Sequence, residues 1–247
     1  MRRFDYAWRS DRGRVRARNE DSIAVDMNLG LVVIADGIGG ANSGDVASRS
    51  AVDVVSDCIE REIFSTTGPE QIKILLEDAV SGANSTIYEL SLDSPVYAGM
   101  GTTIVVGVAV EDWLVFVHVG DSRLYRLRGN GFDQLTKDHS LIQESVDRGF
   151  FPSLDEARRQ GVGDNILTRA LGAAGKVDPA SAQVRLESGD LYLFCTDGLT
   201  GMIPDDLLCQ VLSAGRDDLE RTAGKLVEMA CERGGRDNIT LALMRVS

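Results

Sequence analysis

Long apolar runs are missing from this 247-residue sequence: the longest, Ile104–Val110, falls far short of the roughly 18 residues that a bilayer crossing needs. No membrane span is expected. The opening stretch MRRFDYAWRS carries arginines but no apolar segment behind them, so neither a secretory nor a twin-arginine signal is expected, and the expected location is cytoplasmic. Cysteine is scarce. Cys58, Cys195, Cys209 and Cys231 form no Cys-x-x-Cys pair and sit inside apolar patterns, as small core residues do. Positive charge is short as well: 26 Lys and Arg against 38 Asp and Glu leave a net charge of −12, and no basic stretch is denser than residues 12–21, RGRVRARNED. A general nucleic-acid binder does not fit that balance. Nothing reads as a linker, and a 43% hydrophobic share is enough for a sizeable core. Residues 1–247 are therefore expected to form a single domain.

What the sequence does contain is a mixed order of elements. Period-two and continuous apolar runs predict strands at 22–27, 31–35, 102–110, 112–119, 123–128, 182–186, 190–196 and 239–246, with a further candidate near Tyr6–Arg9. Helical spacing predicts helices over 43–63, 69–91, 140–148, 153–160, 204–213 and 216–232. Pro69 suits a first helical turn, Ser153 and Glu156 form a capping box, and Gly234 and Gly235 close the last helix. Helices and strands do not alternate regularly. The pattern therefore predicts an α+β fold with antiparallel sheets covered by helices, not a doubly wound parallel sheet. Residues 141–170, glycine-bearing and charged between strands, read as a flap over the domain.

Three apolar runs end on a carboxylate: LVVIADGIGG (31–40) on Asp36, LYLFCTDGLT (191–200) on Asp197, and WLVFVHVGDSR (113–123) on Asp121. A buried strand has no structural need for an acid at its end. If residues 19–37 form a hairpin with a tight turn at Asn28 and Leu29, pairing Met27 with Gly30 sets Asp21 opposite Asp36. Asp237 precedes the last strand as Asp197 ends another, so neighbouring antiparallel strands would bring these two acids to one edge as well. Carboxylates crowded on one rim repel by about a few kcal/mol per close pair, so something must neutralise them. No lysine or histidine cluster lies nearby in sequence, and an all-oxygen donor set points to Mg²⁺ or Mn²⁺ in preference to zinc. Gly37, lacking a Cβ, lets its carbonyl approach such an ion, and Gly39 and Gly40 allow a sharp exit from the strand.

The stretches GRVRARNEDS, VVIADGIGG, GTTIVV, HVGDSRLYRLR, LTKDHSLIQE, NILTRALG, GDLYLFCTDGL and RGGRDNIT resemble, in order and spacing, the motifs of the PPM (PP2C-like) metal-dependent serine/threonine phosphatases of bacterial type. The resemblance runs from about residue 9 to the last strand. It implies a PP2C-like four-layer α/β/β/α sandwich, with a two-metal centre at one end. At matching positions Asp36 bridges two Mn²⁺ or Mg²⁺ ions and the Gly37 carbonyl binds one of them. Asp197 and Asp237 hold the other ion, Glu20 and Asp21 complete the inner and outer shells, and Asp121 matches a third, weaker metal site. Arg16 matches the arginine that grips the substrate phosphate. The implied chemistry is in-line attack on phosphoserine or phosphothreonine by a hydroxide shared between two ions. The implied partners are phosphorylated proteins and a cognate Ser/Thr kinase, with no nucleic acid, no membrane and a monomeric state.

One departure stands out. Eukaryotic members place a histidine after the Asp-Gly pair, as general acid for the leaving group, and here the position is Ile38, which leaves the proton donor unassigned. His139 is a weaker candidate for that role than for pinning a loop, and His118 reads as structural. Two other readings remain open at this level: a regulatory module on an inactive phosphatase fold, and a two-metal hydrolase of small phosphate esters. The full set of acids speaks against the first and the full motif set against the second.

Overall fold

The computed structural model describes residues 3–39 and 43–247; Gly40, expected to shape the exit from the third strand, lies outside them. The elements run β1 (Phe4–Asp11), β2 (Asp21–Asp26), β3 (Leu31–Ile38), α1 (Gly44–Glu62), α2 (Pro69–Asp93), β4 (Gly101–Thr102), β5 (Ile104–Val110), β6 (Trp113–Val119), β7 (Arg123–Arg128) and β8 (Gly131–Gln134). They continue with α3 (Leu141–Asp147), α4 (Leu154–Arg159), β9 (Ala180–Arg185), β10 (Leu191–Cys195), α5 (Asp197–Thr200), α6 (Asp205–Ala214), α7 (Leu219–Glu232) and β11 (Ile239–Val246).

Two sheets form, in the orders β1-β11-β10-β7-β8 and β2-β3-β5-β6-β9, with β4 pairing the far end of β3. All pairings are antiparallel. Three apolar layers follow from strand alternation. Leu31, Val33 and Ala35 of β3 pack with Val55, Leu76 and Val80 of α1 and α2. Val32 and Ile34, on the opposite face, meet Tyr192, Phe194 and Ala242 of the other sheet. Leu193, Leu241 and Leu243 turn outward onto Leu208 and Leu226 of α6 and α7. The result is an α/β/β/α sandwich. Because β3 is covered on both faces, it reads as an unbroken apolar run instead of alternating with polar residues.

The local chemistry accounts for most element ends. Pro69 opens α2, and Ser153 accepts the Glu156 N–H at the start of α4. Asp218 accepts the Arg221 N–H at 3.0 Å, so α7 begins at Leu219, three residues later than its apolar pattern suggests. The run expected over 102–110 breaks at Thr103, whose hydroxyl is engaged elsewhere. β1 extends to Phe4–Asp11 because it pairs β11 along its full length, while β8 is too short and polar to read from pattern. Cys195 and Cys231 are buried, Cys58 and Cys209 half-buried, and all four are free thiols.

The two sheets stack closely enough that side-chain volume matters at one backbone position. A Cβ on Gly107 of β5 would lie 2.8 Å from two ring carbons of Phe194, which is fully buried. Gly107→Val is expected to overpack this layer and destabilise the fold by about 1–3 kcal/mol, read as a lowered midpoint in denaturant with an unchanged m-value.

Candidate metal centre

The acids collect where both sheets end together. β2 and β3 pair with Asp21 opposite Asp36, the register expected from the hairpin pattern. In the other sheet β10 and β11 pair with Cys195 opposite Leu241, and the Thr196 N–H donates to the Thr240 carbonyl at 3.0 Å, so Asp197 and Asp237 leave the same edge. Thr196 also joins the sheets: its hydroxyl donates to Asp21 Oδ2 at 3.0 Å and accepts the Thr240 N–H at 3.0 Å. Asp121, two residues beyond β6, lies close enough to act electrostatically on Asp36 and to feel Asp197.

Their titration records the crowding. Desolvation raises Asp36 well above the usual carboxylate range, and the charges of Asp21, Asp197, Asp121 and Asp237 raise it further. Desolvation likewise pushes Asp21 up to about 7 against the bonds from Thr240 and Thr196, and pushes Asp121 up to about 7 with help from Asp197 and Asp138. Asp197 is raised by burial and then by Asp237, and partly relieved by a hydrogen bond with Asp36. Desolvation and then Asp45 raise Glu20. Asp21 is 9% exposed and its Oδ1 has no hydrogen-bond partner among the described residues; the same holds for Oδ1 of Asp45 in the first turn of α1.

Backbone bonds hold Asp36 while leaving its carboxylate to the basin. Its N–H donates to Thr103 Oγ1 at 3.1 Å, and its carbonyl accepts from the Thr103 N–H at 2.9 Å and from Thr102 Oγ1 at 2.8 Å. The Thr103 and Ser122 hydroxyls share a bond of 2.7 Å. Two close approaches require glycine beside the acids. A Cβ on Gly37 would stand 2.1 Å from the Gly44 carbonyl oxygen, and one on Gly198 would stand 1.8 Å from that of Asn238.

Glu20 and Arg16 reach the basin on the loop between β1 and β2. The Glu20 carbonyl accepts from Ser48 Oγ at 2.6 Å and from the Gly37 N–H at 3.1 Å, which seats the loop on α1 and β3. Arg16, half exposed, donates to Asp237 Oδ2 at 2.7 Å. The loop owes its position to Asn238, a residue that sequence reasoning missed. Asn238 is 4% exposed; its Oδ1 accepts the Glu20 N–H at 2.8 Å, and its Nδ2 donates to the carbonyls of Arg12 at 2.9 Å and Arg18 at 2.8 Å. Thr196, Thr103 and Ser122 were missed too. The sequence marks them only as small polar residues at strand ends, beside acids that drew the attention.

The two histidines stand apart from the acids. Their rings stack at 4.8 Å; His118 Nε2 bonds the Lys137 carbonyl at 2.8 Å. His139 binds Gly120 twice, donating its N–H to the carbonyl at 2.9 Å and accepting the Gly120 N–H on Nδ1 at 3.2 Å. Burial and then His118 lower His139 to about 4, so it is neutral near pH 7 and pins the loop that carries Asp121. Ile38 is partly exposed at the end of β3. The segment from α3 to Ile166 leaves and returns through a pinched base, with Ser140 bridged to Leu167 and the Thr168 N–H donating to the His139 carbonyl at 2.9 Å.

Among the described residues no three acidic, histidine or cysteine side chains close on one point as a ready-made ligand set. The acids ring a basin instead. That arrangement suits ions that keep several waters and take one or two carboxylates each, as Mg²⁺ does.

The matching family model is that of protein phosphatase 2C, over residues 13–232. The serine/threonine phosphatase stp of Listeria monocytogenes is 37% identical over 96% of this chain and 94% of its own. The serine/threonine phosphatase PstP/Ppp of Mycobacterium tuberculosis superposes with a TM-score of 0.89 at 33% identity, each chain fully covered. A structure of the PstP catalytic domain in complex with two manganese ions superposes at 0.87, also 33% identical, over 100% of this chain and 99% of that one.

Two outcomes are expected from this geometry. Asn238→Ala removes three hydrogen bonds and strands three backbone groups, costing about 2–4 kcal/mol, and amide exchange at Glu20 should accelerate beyond that of β11. In chelator, the raised acids keep protons in the folded state that the unfolded chain releases above about pH 4, so stability should fall as pH rises from about 4 to about 7. Asp36→Asn should flatten that fall in thermal melts across the same pH range.

Proposed function

This chain belongs to the protein phosphatase 2C family of serine/threonine phosphatases, in its bacterial PPM branch, and we propose that it hydrolyses phosphoserine and phosphothreonine in proteins, reversing a Ser/Thr kinase. The observation that carries the reading is the ring of crowded, proton-holding acids around Asp36, fed by both sheets. Excess negative charge with oxygen-only donors, and a buried Asp21 oxygen without a partner, fit hard divalent cations. In this reading Asp36 would be the acid shared by two Mn²⁺ or Mg²⁺ ions, the Gly37 carbonyl would serve one, Asp197 and Asp237 the other, and Glu20 and Asp21 would complete the inner and outer shells. Asp121 would serve a third ion. When bound, such a pair would lower the pKa of water and screen the phosphate dianion.

The chain's own groups do the positioning. Arg16 swings between Asp237 and the substrate phosphate, whose oxygens its planar fork can take two at a time. Thr102 and Thr103 fix the Asp36 backbone so that its carboxylate does not reorganise during the reaction. Neither Ile38 nor the neutral, pinned His139 supplies the leaving-group proton, which comes from water in the basin. The chain acts as a single-domain monomer in the cytosol, with residues 141–170 as a flap that shapes the protein-substrate surface. No helix among the described residues is long and apolar enough to cross a membrane.

The test is hydrolysis of a phosphothreonine peptide against Mn²⁺ concentration, with folding checked by circular dichroism. Metal-dependent turnover is expected, falling by about 10²–10³-fold or more in folded Asp36→Asn and on the order of tenfold in Arg16→Lys, which keeps the charge but loses the fork. Metal binding without turnover by the unaltered chain would replace this reading with that of a regulatory module.

A further inference from the structure

The arginines around Arg16 are not accounted for by phosphate binding. Arg14, Arg18 and Arg236 are exposed, each within two residues of Arg16, Glu20 or Asp237, and none forms a side-chain ion pair or hydrogen bond among the described residues. Elsewhere Arg123, Arg128 and Arg245 are each taken up by acids, whereas Arg49 on α1 and Arg221 on α7 are exposed without a side-chain partner among the described residues. The chain carries a net charge of −12, so a free guanidinium has 38 acids to choose from, yet these three stay unpaired at one place.

Their backbone is held. Asn238 clasps the carbonyls of Arg12 and Arg18, the Arg14 N–H donates to the Gly235 carbonyl at 2.7 Å, and the Arg12 guanidinium caps the Ala17 carbonyl at 3.2 Å. Gly13 turns at φ 77° where a Cβ would lie 2.2 Å from the Asp237 carbonyl oxygen. The stems are also anchored apart: Arg14 Cγ packs over Gly235, while Arg236 runs over Gly234. A held backbone spares the cost of ordering the loop on binding, and cations spread along a rim suit several separate carboxylates better than one compact dianion.

We infer that Arg14, Arg18 and Arg236 form a substrate-reading rim that selects phosphorylated segments flanked by acidic side chains. The inference rests on the phosphatase reading and names its preferred substrate class. At long range the acidic chain repels such a segment, and the rim supplies positive charge at the mouth where the segment must dock. Salt screens contacts of this exposed kind.

The test compares three phosphothreonine peptides of equal length, with acidic, neutral or basic flanks, alongside a doubly phosphorylated peptide and a small aryl phosphate, all with Mn²⁺. The unaltered chain should favour acidic over basic flanks by about fivefold in kcat/KM, mainly through KM. Arg14→Gln/Arg236→Gln, which removes both charges, keeps the Cβ and Cγ methylenes and leaves Arg16 and Arg18 in place, should abolish that preference while aryl phosphate turnover is unchanged. Salt at about 0.5 M should do the same to the unaltered chain. Equal turnover of all flanks, or a preference that survives in the double variant, overturns the rim. A preference for the doubly phosphorylated peptide over the acidic one assigns these arginines to phosphate and overturns it too. Failure of the unaltered chain to hydrolyse even the aryl phosphate overturns the phosphatase reading and the rim with it.

Discussion

Repulsion among Asp21, Asp36, Asp121, Asp197 and Asp237 is the constraint around which this end of the molecule is organised. Asp21, Asp36, Asp121 and Asp197 are each pushed upward in pKa by desolvation before any neighbour acts, and the charges of Asp21, Asp121, Asp197 and Asp237 then bear on Asp36. Like charges at this spacing cost about a few kcal/mol per pair at intermediate dielectric. Such a cluster persists only where the surrounding fold leaves its members no retreat. Here the acids sit at strand ends, and β3, β6, β10 and β11 behind Asp36, Asp121, Asp197 and Asp237 are buried on both faces, so the backbone cannot draw these carboxylates apart without disrupting the core.

Neutral groups hold the charged ones in place. Thr196, Thr240, Thr102, Thr103, Ser122, Ser48 and Asn238 partner the Asp21 carboxylate, the Asp36 backbone and the Glu20 backbone or tie those partners together, and none adds charge. A lysine or a further arginine among them would neutralise the basin from within and remove its call on a cation. Arg16 is the exception, and it stands half exposed at the mouth, where its guanidinium can exchange one anion for another.

The strands that carry the acids were legible because periodicity and hairpin arithmetic act locally. Pairing Met27 with Gly30 is enough to place Asp21 opposite Asp36, and the strand register bears this out. The neighbouring of β10 and β11 was only a condition in the sequence, since nothing within either strand names its partner; the structure supplies it. Asn238 was illegible for a different reason. Its three bonds reach back more than 200 residues to Arg12, Arg18 and Glu20, and an asparagine after an aspartate at a strand entry reads equally well as turn chemistry. The one-turn α5, the short β8 and the delayed start of α7 escaped because caps and tertiary pairing, not apolar pattern, decide them.

The basin draws on both sheets, and this couples stability to ligation. Asp21 and Asp36 come from one sheet, Asp197 and Asp237 from the other, and among the described residues the ties across the seam include Thr196 to Asp21, Asn238 to Glu20 and Asp36 to Asp197. Whatever cation settles among these acids binds the folded chain and has no equivalent site in the unfolded one, so it stabilises the fold by mass action. It also reverses the sign of the electrostatic contribution across the seam from repulsion to attraction. An arrangement that is strained when empty and relieved when filled is the expected cost of preorganising charge for catalysis. It follows that substitutions which ease the repulsion should stabilise the metal-free chain while weakening the site, so stability and cation affinity move in opposite directions at these positions and together everywhere else in the core.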